Sequence, residues 1–221
     1  MSQRQRHGQR LIIVYNKAMY SSLEIDHIFR IVRDDEHALQ MIEELGFDPK
    51  KTKITVHTGQ GTSARFVFFE QNYLEFIYLR DKEESRHCPL NIGKRIAHWE
   101  SSNGMPYGVG LRGVLSPTEK EDFKAHKPDY GNYTLYLHKS VSSDLTMPEV
   151  FLLEVEGRPR EQYFPKNFGE GWNELIHKST DLKEFSSAVL TCHGLKPQKF
   201  GNFEIQEGLE RSLLINGKFS F

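Results

Sequence analysis

A histidine and a glutamate with metal-binding chemistry lie far apart in the chain, on two predicted strands. In segment 24–32, alternation places His27 on an otherwise apolar face. In segment 73–79, Glu75 lies on a strand that is apolar on both faces, which is typical of the middle of a sheet. A buried ionised carboxylate there is costly unless a cation or a metal compensates it. The pattern therefore raises the question of a shared cation.

Each residue taken alone favours a structural role. A lone histidine on an apolar face is more often a hydrogen-bonded core residue than a ligand. A buried glutamate often pairs with an arginine, such as Arg65, or faces a water-filled groove. Together, however, His27 on the first strand and Glu75 on the last strand of one unit favour a metal-binding site.

The elements between these residues position them. A predicted helix with an apolar stripe follows the first strand and ends near Gly46, and strands are predicted at 53–58, 65–69 and 73–79. This βαβββ order brings the first and last strands close together in one sheet. His27 and Glu75 can then meet on one concave surface and share a divalent ion.

Composition and charge exclude several function classes. The 221 residues are 38% hydrophobic with a formal net charge of −1, so the basic field that nucleic-acid binding uses is absent. Cys88 and Cys192 lie far apart, which favours a reducing, cytoplasmic location. No apolar run approaches the length of a membrane span, and residues 1–22 form a basic leader that we expect to be disordered. We expect a small-molecule partner, with neither nucleic acid nor membrane.

Several motifs resemble one known family. The segments DHIFRIV, EELGF, H-x-G-x-G-T, FVFF and NYLEFIYL are similar to the glyoxalase-like branch of the vicinal oxygen chelate superfamily, which includes glyoxalase I, extradiol dioxygenases and bleomycin-resistance proteins. The resemblance implies an α+β fold in which paired βαβββ modules form an open barrel-like sheet around a divalent metal (Zn, Fe, Mn or Ni). It makes His27 and Glu75 the ligands of the first module, residues 23–79.

Four further residues are candidates for substrate binding. His57 and Thr62 belong to the H-x-G-x-G-T signature. Because the strand of His57 lies at the sheet edge, we expect His57 either to face substrate or to support the metal ligands, and not to bind the metal itself. Arg65 and Arg112 lie on predicted strands and could hold an anionic substrate through the planar guanidinium fork. Each arginine is equally expected to be a surface residue or a partner of a glutamate.

A second module is predicted at residues 107–157, after a connector at 80–106. Its segment VFLLEV repeats the local pattern around Glu75, which makes Glu154 the expected third metal ligand and a catalytic residue. The strand VGLRG offers no His, Glu or Asp as a further ligand. A site with three protein ligands would keep open positions, which a catalytic metal requires.

Residues 158–221 are predicted to be a partial third module, a βαββ segment within one globular domain overall. His177 would lie on its first strand, and residues 182–192 would form its helix. His177 could replace Glu154 as third ligand, giving the two-histidine, one-carboxylate set of non-haem iron. It could equally be a strand residue of an added β-layer.

These expectations define two function classes. The first is a metal-dependent enzyme, of lyase, isomerase or dioxygenase type, acting on a small substrate chelated through vicinal oxygens. The metal would polarise a carbonyl while a carboxylate or histidine moves the proton. The alternative is a non-catalytic binder similar to bleomycin-resistance proteins, for which the missing ligand in VGLRG argues. Either class allows a homodimer.

Overall fold

The structure is a computed structural model that describes residues 20–102, 104–127, 133–155, 172–177 and 184–220. Its first half follows the predicted βαβββ order. The elements are β1 Glu24–Ile31, α1 Asp35–Glu44, β2 Lys53–His57, β3 Thr62–Phe68 and β4 Tyr73–Leu79. Asp34 caps α1 by accepting a hydrogen bond from the backbone N–H of His37 at 2.8 Å. Gly46, with φ of +82°, follows the helix in the left-handed conformation that glycine favours.

The second half follows two connecting helices and has the same order, except that an additional short helix precedes its last strand. The connector contains α2 Lys82–His87 and α3 Ile92–Ser102. The second half comprises β5 Tyr107–Arg112, α4 Pro117–Lys120, β6 Phe123–His126, β7 Tyr133–His138, α5 Lys139–Ser142 and β8 Glu149–Val155. Ser116 and Glu119 form the capping box that the sequence predicts at the start of α4.

One open sheet joins the two halves. Its eight strands run in the order β2-β3-β4-β1-β5-β8-β7-β6. In each half the first strand pairs in parallel with the last, and β1 and β5 pair antiparallel at the centre. The predicted α+β fold of paired βαβββ modules forming an open sheet is confirmed. This order places His27 and Glu75 on neighbouring strands.

Apolar side chains cover both faces of the sheet. The first face packs against α1 and the C-terminal strands in one cluster that includes Ile28, Leu74 and Val109. The second face carries a smaller cluster that includes Phe29, Phe66 and Ile96 of α3. Because β4 is buried on both faces, Glu75 is only 7% exposed.

The C-terminal segment adds a second sheet. The elements are α6 Trp172–Leu175, β9 Ala188–Cys192, β10 Gln198–Phe200, β11 Phe203–Glu207, β12 Ser212–Ile215 and β13 Phe219–Ser220, with sheet order β10-β11-β9-β12-β13. The predicted helix at 182–192 is wrong over 188–192, where β9 pairs with β11 and β12 and buries alternate residues. Residues 178–183 lie outside the described ranges.

Two asparagines fasten this segment to the main sheet. Asn72 donates to the backbone oxygen of Ile25 at 2.7 Å and accepts from the backbone N–H of Phe185 at 2.7 Å. Asn202 accepts from the backbone N–H of Ile25 at 2.8 Å. Two of these three bonds end at Ile25, the β1 residue that precedes Asp26. No helix in the described ranges is long and apolar enough to span a membrane.

Candidate functional site

A break in the regular pairing of β1 places two adjacent polar side chains in one cavity. The register between β1 and β5 shifts between Ile25 and His27, which leaves Asp26 out of the ladder. Adjacent residues of a regular strand face opposite sides, and a bulge removes that constraint. Asp26 and His27 are both 3% exposed and line the same cavity, with Asp26 Oδ1 and His27 Nδ1 3.0 Å apart.

The Glu75 carboxylate lies between two imidazoles. Its Oε2 is 3.6 Å from Nε2 of His27, and its Oε1 is 3.6 Å from Nε2 of His57. Both separations exceed the usual hydrogen-bond range. The carboxylate therefore faces two ring nitrogens without a direct short bond to either.

His57 is held at the edge strand by a buried threonine. It is the last residue of β2 and is paired in register with Thr62, the first residue of β3. Nδ1 of His57 lies 3.1 Å from Oγ1 of Thr62, and Thr62 is fully buried. This contact turns Nε2 of His57 towards Glu75.

Glycines on β5 leave room for the aromatic rings of β1. Gly110 is paired with His27, and a Cβ at position 110 would overlap the imidazole. A Cβ at Gly108 would overlap the ring of Phe29 in the same way. The His27 ring also stacks on Tyr73, with ring centroids 4.4 Å apart. The second half therefore contributes space at this point of the cavity instead of a donor atom.

The cavity has a volume of about 320 Å³ and mostly apolar walls. This volume is at the lower end of the range for small-molecule pockets. Its polar lining comes from Asp26, His27, His57, Gln60, Glu75 and Glu149. Its apolar lining comes from Phe29, Tyr73, Ile77, Leu90, Ile92, Tyr133, Leu135, Leu137, Phe151 and Leu153. Both modules and the connector therefore contribute walls.

Glu149 joins this cavity to the connector helix α3. It is the first residue of β8 and forms a buried ion pair with Arg95, which is 2% exposed. The Arg95 guanidinium also donates to the backbone oxygens of Met147 at 2.7 Å and Ser142 at 3.1 Å. Burial raises the pKa of Glu149, and the positive charge of Arg95 works against that rise.

Comparison with known proteins matches one part of the chain to a known domain family. Residues 25–120 match the sequence model of the glyoxalase-like domain family. The chain contains a glyoxalase-like domain of the vicinal oxygen chelate superfamily. No curated protein sequence matches the chain.

Two solved structures resemble this chain. The crystal structure of a hypothetical protein from Staphylococcus aureus matches with a TM-score of 0.51 and 12% identity, covering 86% of this chain and 88% of that one. The crystal structure of methylmalonyl-CoA epimerase from Mycobacterium tuberculosis matches with a TM-score of 0.42 and 10% identity, covering 66% of this chain and 96% of that one. At such identities the first match supports the fold alone.

The structure brings only some of the sequence-predicted residues of this domain together. His27, Glu75 and His57 line one cavity, and Thr62 holds His57. Arg65 instead forms a two-point ion pair with Asp35 of α1, at 2.6 and 2.8 Å.

Arg112 also lies away from the cavity. It binds the Glu24 carboxylate and donates to the backbone oxygen of Gln71 at 2.8 Å. Neither arginine is among the residues that line the cavity. We therefore do not include either arginine in the proposed site, although the sequence predicts that they hold an anionic substrate.

Glu154 does not reach the cavity. Phe151 and Leu153 of β8 line it, so the alternation of the strand directs Glu154 to the opposite face. Glu154 is exposed there and is paired in register with Thr134. It is therefore left out of the proposed site.

His177 does not reach the cavity either. Its backbone N–H donates to Phe68 at 2.8 Å, and its ring packs on Phe47 with ring centroids 5.3 Å apart. Desolvation by burial lowers its pKa. His177 follows an isolated bridge between Ile176 and Phe68 of β3, and it is not among the residues that line the cavity with His27.

Three residues that line the cavity escaped sequence reasoning. Asp26 directly precedes His27, but period-two alternation assigns it to the other face of the strand. Gln60 lies inside the H-x-G-x-G-T signature and carries no chemical signal of its own. Glu149 begins a strand that is apolar on both faces, and only the pairing with Gly108 shows which face it takes. A test for a bulge at the Asp-His dipeptide could have found Asp26.

Proposed function

We propose that this chain is a glyoxalase-like, metal-dependent enzyme that acts on a small substrate chelated through vicinal oxygens. The reaction is of lyase, isomerase or dioxygenase type. The observation that carries the proposal is that buried His27, buried Glu75 and half-buried His57 lie together in an otherwise apolar cavity. A buried carboxylate that faces two imidazoles is a donor set suited to a divalent transition metal.

The donor chemistry fits a divalent ion. Asp26 and Thr62 engage the Nδ1 atoms of His27 and His57, which leaves both Nε2 atoms directed at Glu75. Hydrogen bonding of the second ring nitrogen is the usual way in which a metal-binding histidine is oriented. Donor atoms bound tetrahedrally at about 2.1 Å lie roughly 3.4 Å apart, close to the 3.6 Å between each Nε2 and Glu75.

The arrangement falls short of a formed three-ligand site. Within the ranges that the structure describes, no group of three or more His, Cys, Asp or Glu side chains is placed to hold a metal ion. The array consists of two pairs that share Glu75. Binding would therefore require the three side chains to close around the ion, and His27 and Glu75 are the residues that we assign to hold it.

The side chains of this chain would perform the proton chemistry. A bound divalent ion supplies Lewis acidity to the substrate oxygens. Asp26 accepts the Nδ1 proton of His27, so the lone pair of Nε2 would be free to bind the ion. His57 faces the same cavity, with Nε2 3.6 Å from the other Glu75 oxygen, and would be the side chain that moves a proton to or from a bound substrate. The apolar walls exclude water from the transfer.

A second candidate function is a non-catalytic small-molecule binder. Gly108 and Gly110 stand where the second module would supply a donor, which favours this reading. A cavity with apolar walls can bind a ligand without any metal. In that case the His27–Glu75–His57 array would orient a polar group of the ligand.

Metal content separates the two candidates. Protein purified without chelators should contain about one divalent ion per chain, and His27→Ala should lose it because one of the assigned ligands is gone. The exposed His87→Ala is the matched control and should retain the ion. Metal-free wild-type protein that also fails to bind added Zn²⁺, Mn²⁺, Ni²⁺ or Fe²⁺ would refute the enzyme and leave the binder.

A further inference from the structure

Two apolar side chains are exposed side by side on the edge strand β2. Ile54 is 46% exposed and Val56 is 51% exposed, and period-two alternation places both on the same face of the strand. Their register neighbours on β3 are Arg65 and Ser63, which are polar. Among the described residues, no other pair of exposed large apolar side chains lies at this spacing on one strand. The pair therefore forms an apolar surface that β3 does not cover.

The backbone of β2 is open on one side. β2 begins the order of the eight-stranded sheet, and among the described strands it pairs only with β3. An edge strand of this kind offers unpaired N–H and C=O groups to another strand. Three of its five residues are Ile, Thr and Val, which are β-branched and favour strands. β2 therefore combines an open backbone edge with apolar side chains, which are the features that strand addition uses.

The sequence of β2 is chemically close to a palindrome. It reads Lys-Ile-Thr-Val-His, with Thr55 at its centre. An antiparallel copy centred on Thr55 sets Ile54 opposite Val56 of the copy, and Thr55 opposite its own equivalent. Cross-strand pairs of β-branched residues and of threonines both stabilise a sheet. The pairing obeys a twofold axis, in which both subunits use the same patch.

Charge favours the same antiparallel register. Lys53 is the only permanently charged side chain of β2. In the register centred on Thr55, the two copies of Lys53 lie four residues apart along the strands, which is about 14 Å. That separation exceeds the Debye length of about 8 Å at physiological ionic strength, so their repulsion is largely screened. A parallel, in-register pair would instead hold the two lysines about 5 Å apart.

We propose that β2 is a docking edge for a second copy of this chain, joined as an antiparallel strand pair centred on Thr55. The two eight-stranded sheets would then form one continuous sheet across the twofold axis. The register sets Lys53 of the partner subunit opposite His57, on the face of the sheet that carries the cavity. Each cavity would therefore have a cation of the other subunit beside one of its walls. The proposal goes beyond the proposed function and does not depend on metal binding.

Sedimentation equilibrium of the full chain tests the dimer. Two five-residue strands bury less than the roughly 1,200 Å² of a standard interface, so we expect a dissociation constant on the order of 10 µM. Runs from about 1 to 200 µM should therefore show a monomer–dimer equilibrium. Val56→Lys places a charge in the apolar pair and should weaken association at least about tenfold. The matched control is Leu209→Lys, which adds the same charge at a residue that is 95% exposed outside β2 and should leave association unchanged.

Cysteine cross-linking tests the register. Thr55→Cys places the two new thiols opposite each other across the axis, so mild oxidation should link the subunits through a disulfide. In the matched control Ile54→Cys, the equivalent Cα atoms lie roughly 8 Å apart, which is too far for a disulfide. Both variants keep Cys88 and Cys192, so background oxidation is the same in each. A chain that stays monomeric over the whole concentration range would overturn the proposal, as would undiminished association of Val56→Lys or cross-linking of Ile54→Cys as efficient as that of Thr55→Cys.

Discussion

Replacing Asp26 by asparagine tests whether Asp26, which the bulge in β1 brings beside His27, orients the imidazole ring. The substitution keeps the size of the side chain and removes its charge. Asp26 Oδ1 lies 3.0 Å from His27 Nδ1, and both residues are 3% exposed. Buried hydrogen bonds to a charged group contribute about 1.5–3 kcal/mol. Loss of a hydrogen-bonding partner behind a metal-binding histidine typically weakens metal affinity about 10- to 100-fold, or about 1.4–2.8 kcal/mol.

The two estimates agree, so we expect Asp26→Asn to weaken divalent-metal binding by about 10- to 100-fold. Affinity is measured by competition with a chromophoric chelator. Long-range ¹H–¹⁵N NMR spectra of the imidazole report which His27 nitrogen carries the proton. The wild type should carry it on Nδ1, because Asp26 accepts there. The variant should show a mixture of tautomers, because an amide can present either its oxygen or its NH₂ group.

The matched control is Asp35→Asn, which removes an acidic partner on the other side of the sheet. Asp35 binds Arg65 and Tyr78, and neither residue lines the cavity. This variant should retain wild-type metal affinity and the His27 tautomer. Unchanged affinity and tautomer in Asp26→Asn would refute the positioning role. An equal loss in Asp35→Asn would attribute the effect to general destabilisation.

Three further predictions concern packing and charge. Gly110→Ala should weaken metal binding at least about tenfold, because the added Cβ displaces the His27 ring. Gly194→Ala, at a position with open space around it, should not weaken metal binding. Competition with a chromophoric chelator measures both affinities. Arg95→Met should lower the free energy of unfolding by about 3–5 kcal/mol, because it leaves Glu149 buried without its partner. Urea titrations measure this loss, and a loss below about 1 kcal/mol would contradict the prediction. Arg65 lowers the pKa of Asp35, so the ion pair stabilises the fold above about pH 4 and is lost as pH falls through the folded pKa. Unfolding curves of Asp35→Asn should therefore converge with wild type in acid, and a constant difference at every pH would contradict this.

Sequence reasoning placed His27 and Glu75 correctly on neighbouring strands because topology and alternation are both encoded locally. At β8, which is apolar on both faces, alternation alone does not decide which side chains reach the cavity. There the Leu-Glu pattern of Glu154 resembles that of Glu75 but falls on the opposite face, since a shift of one residue exchanges the faces of a strand. The register with β5 decides the face, and that register is a long-range property.

Asp26 was missed for a related reason. Alternation assigns it to the face opposite His27, and only the bulge against β5 overrides that assignment. The C-terminal strand β9 differs from its predicted helix because pairing on both sides outweighs local helix preference.

We propose that His27 and Glu75 hold one divalent ion, which Nε2 of His57 faces. Crystals grown with Zn²⁺ and measured at the zinc absorption edge would locate the ion by anomalous scattering. The account predicts a single strong peak within bonding distance of Nε2 of His27 and the Glu75 carboxylate, and facing Nε2 of His57. A map without a peak in the cavity, with Glu75 instead bonded directly to a protonated histidine, would contradict it.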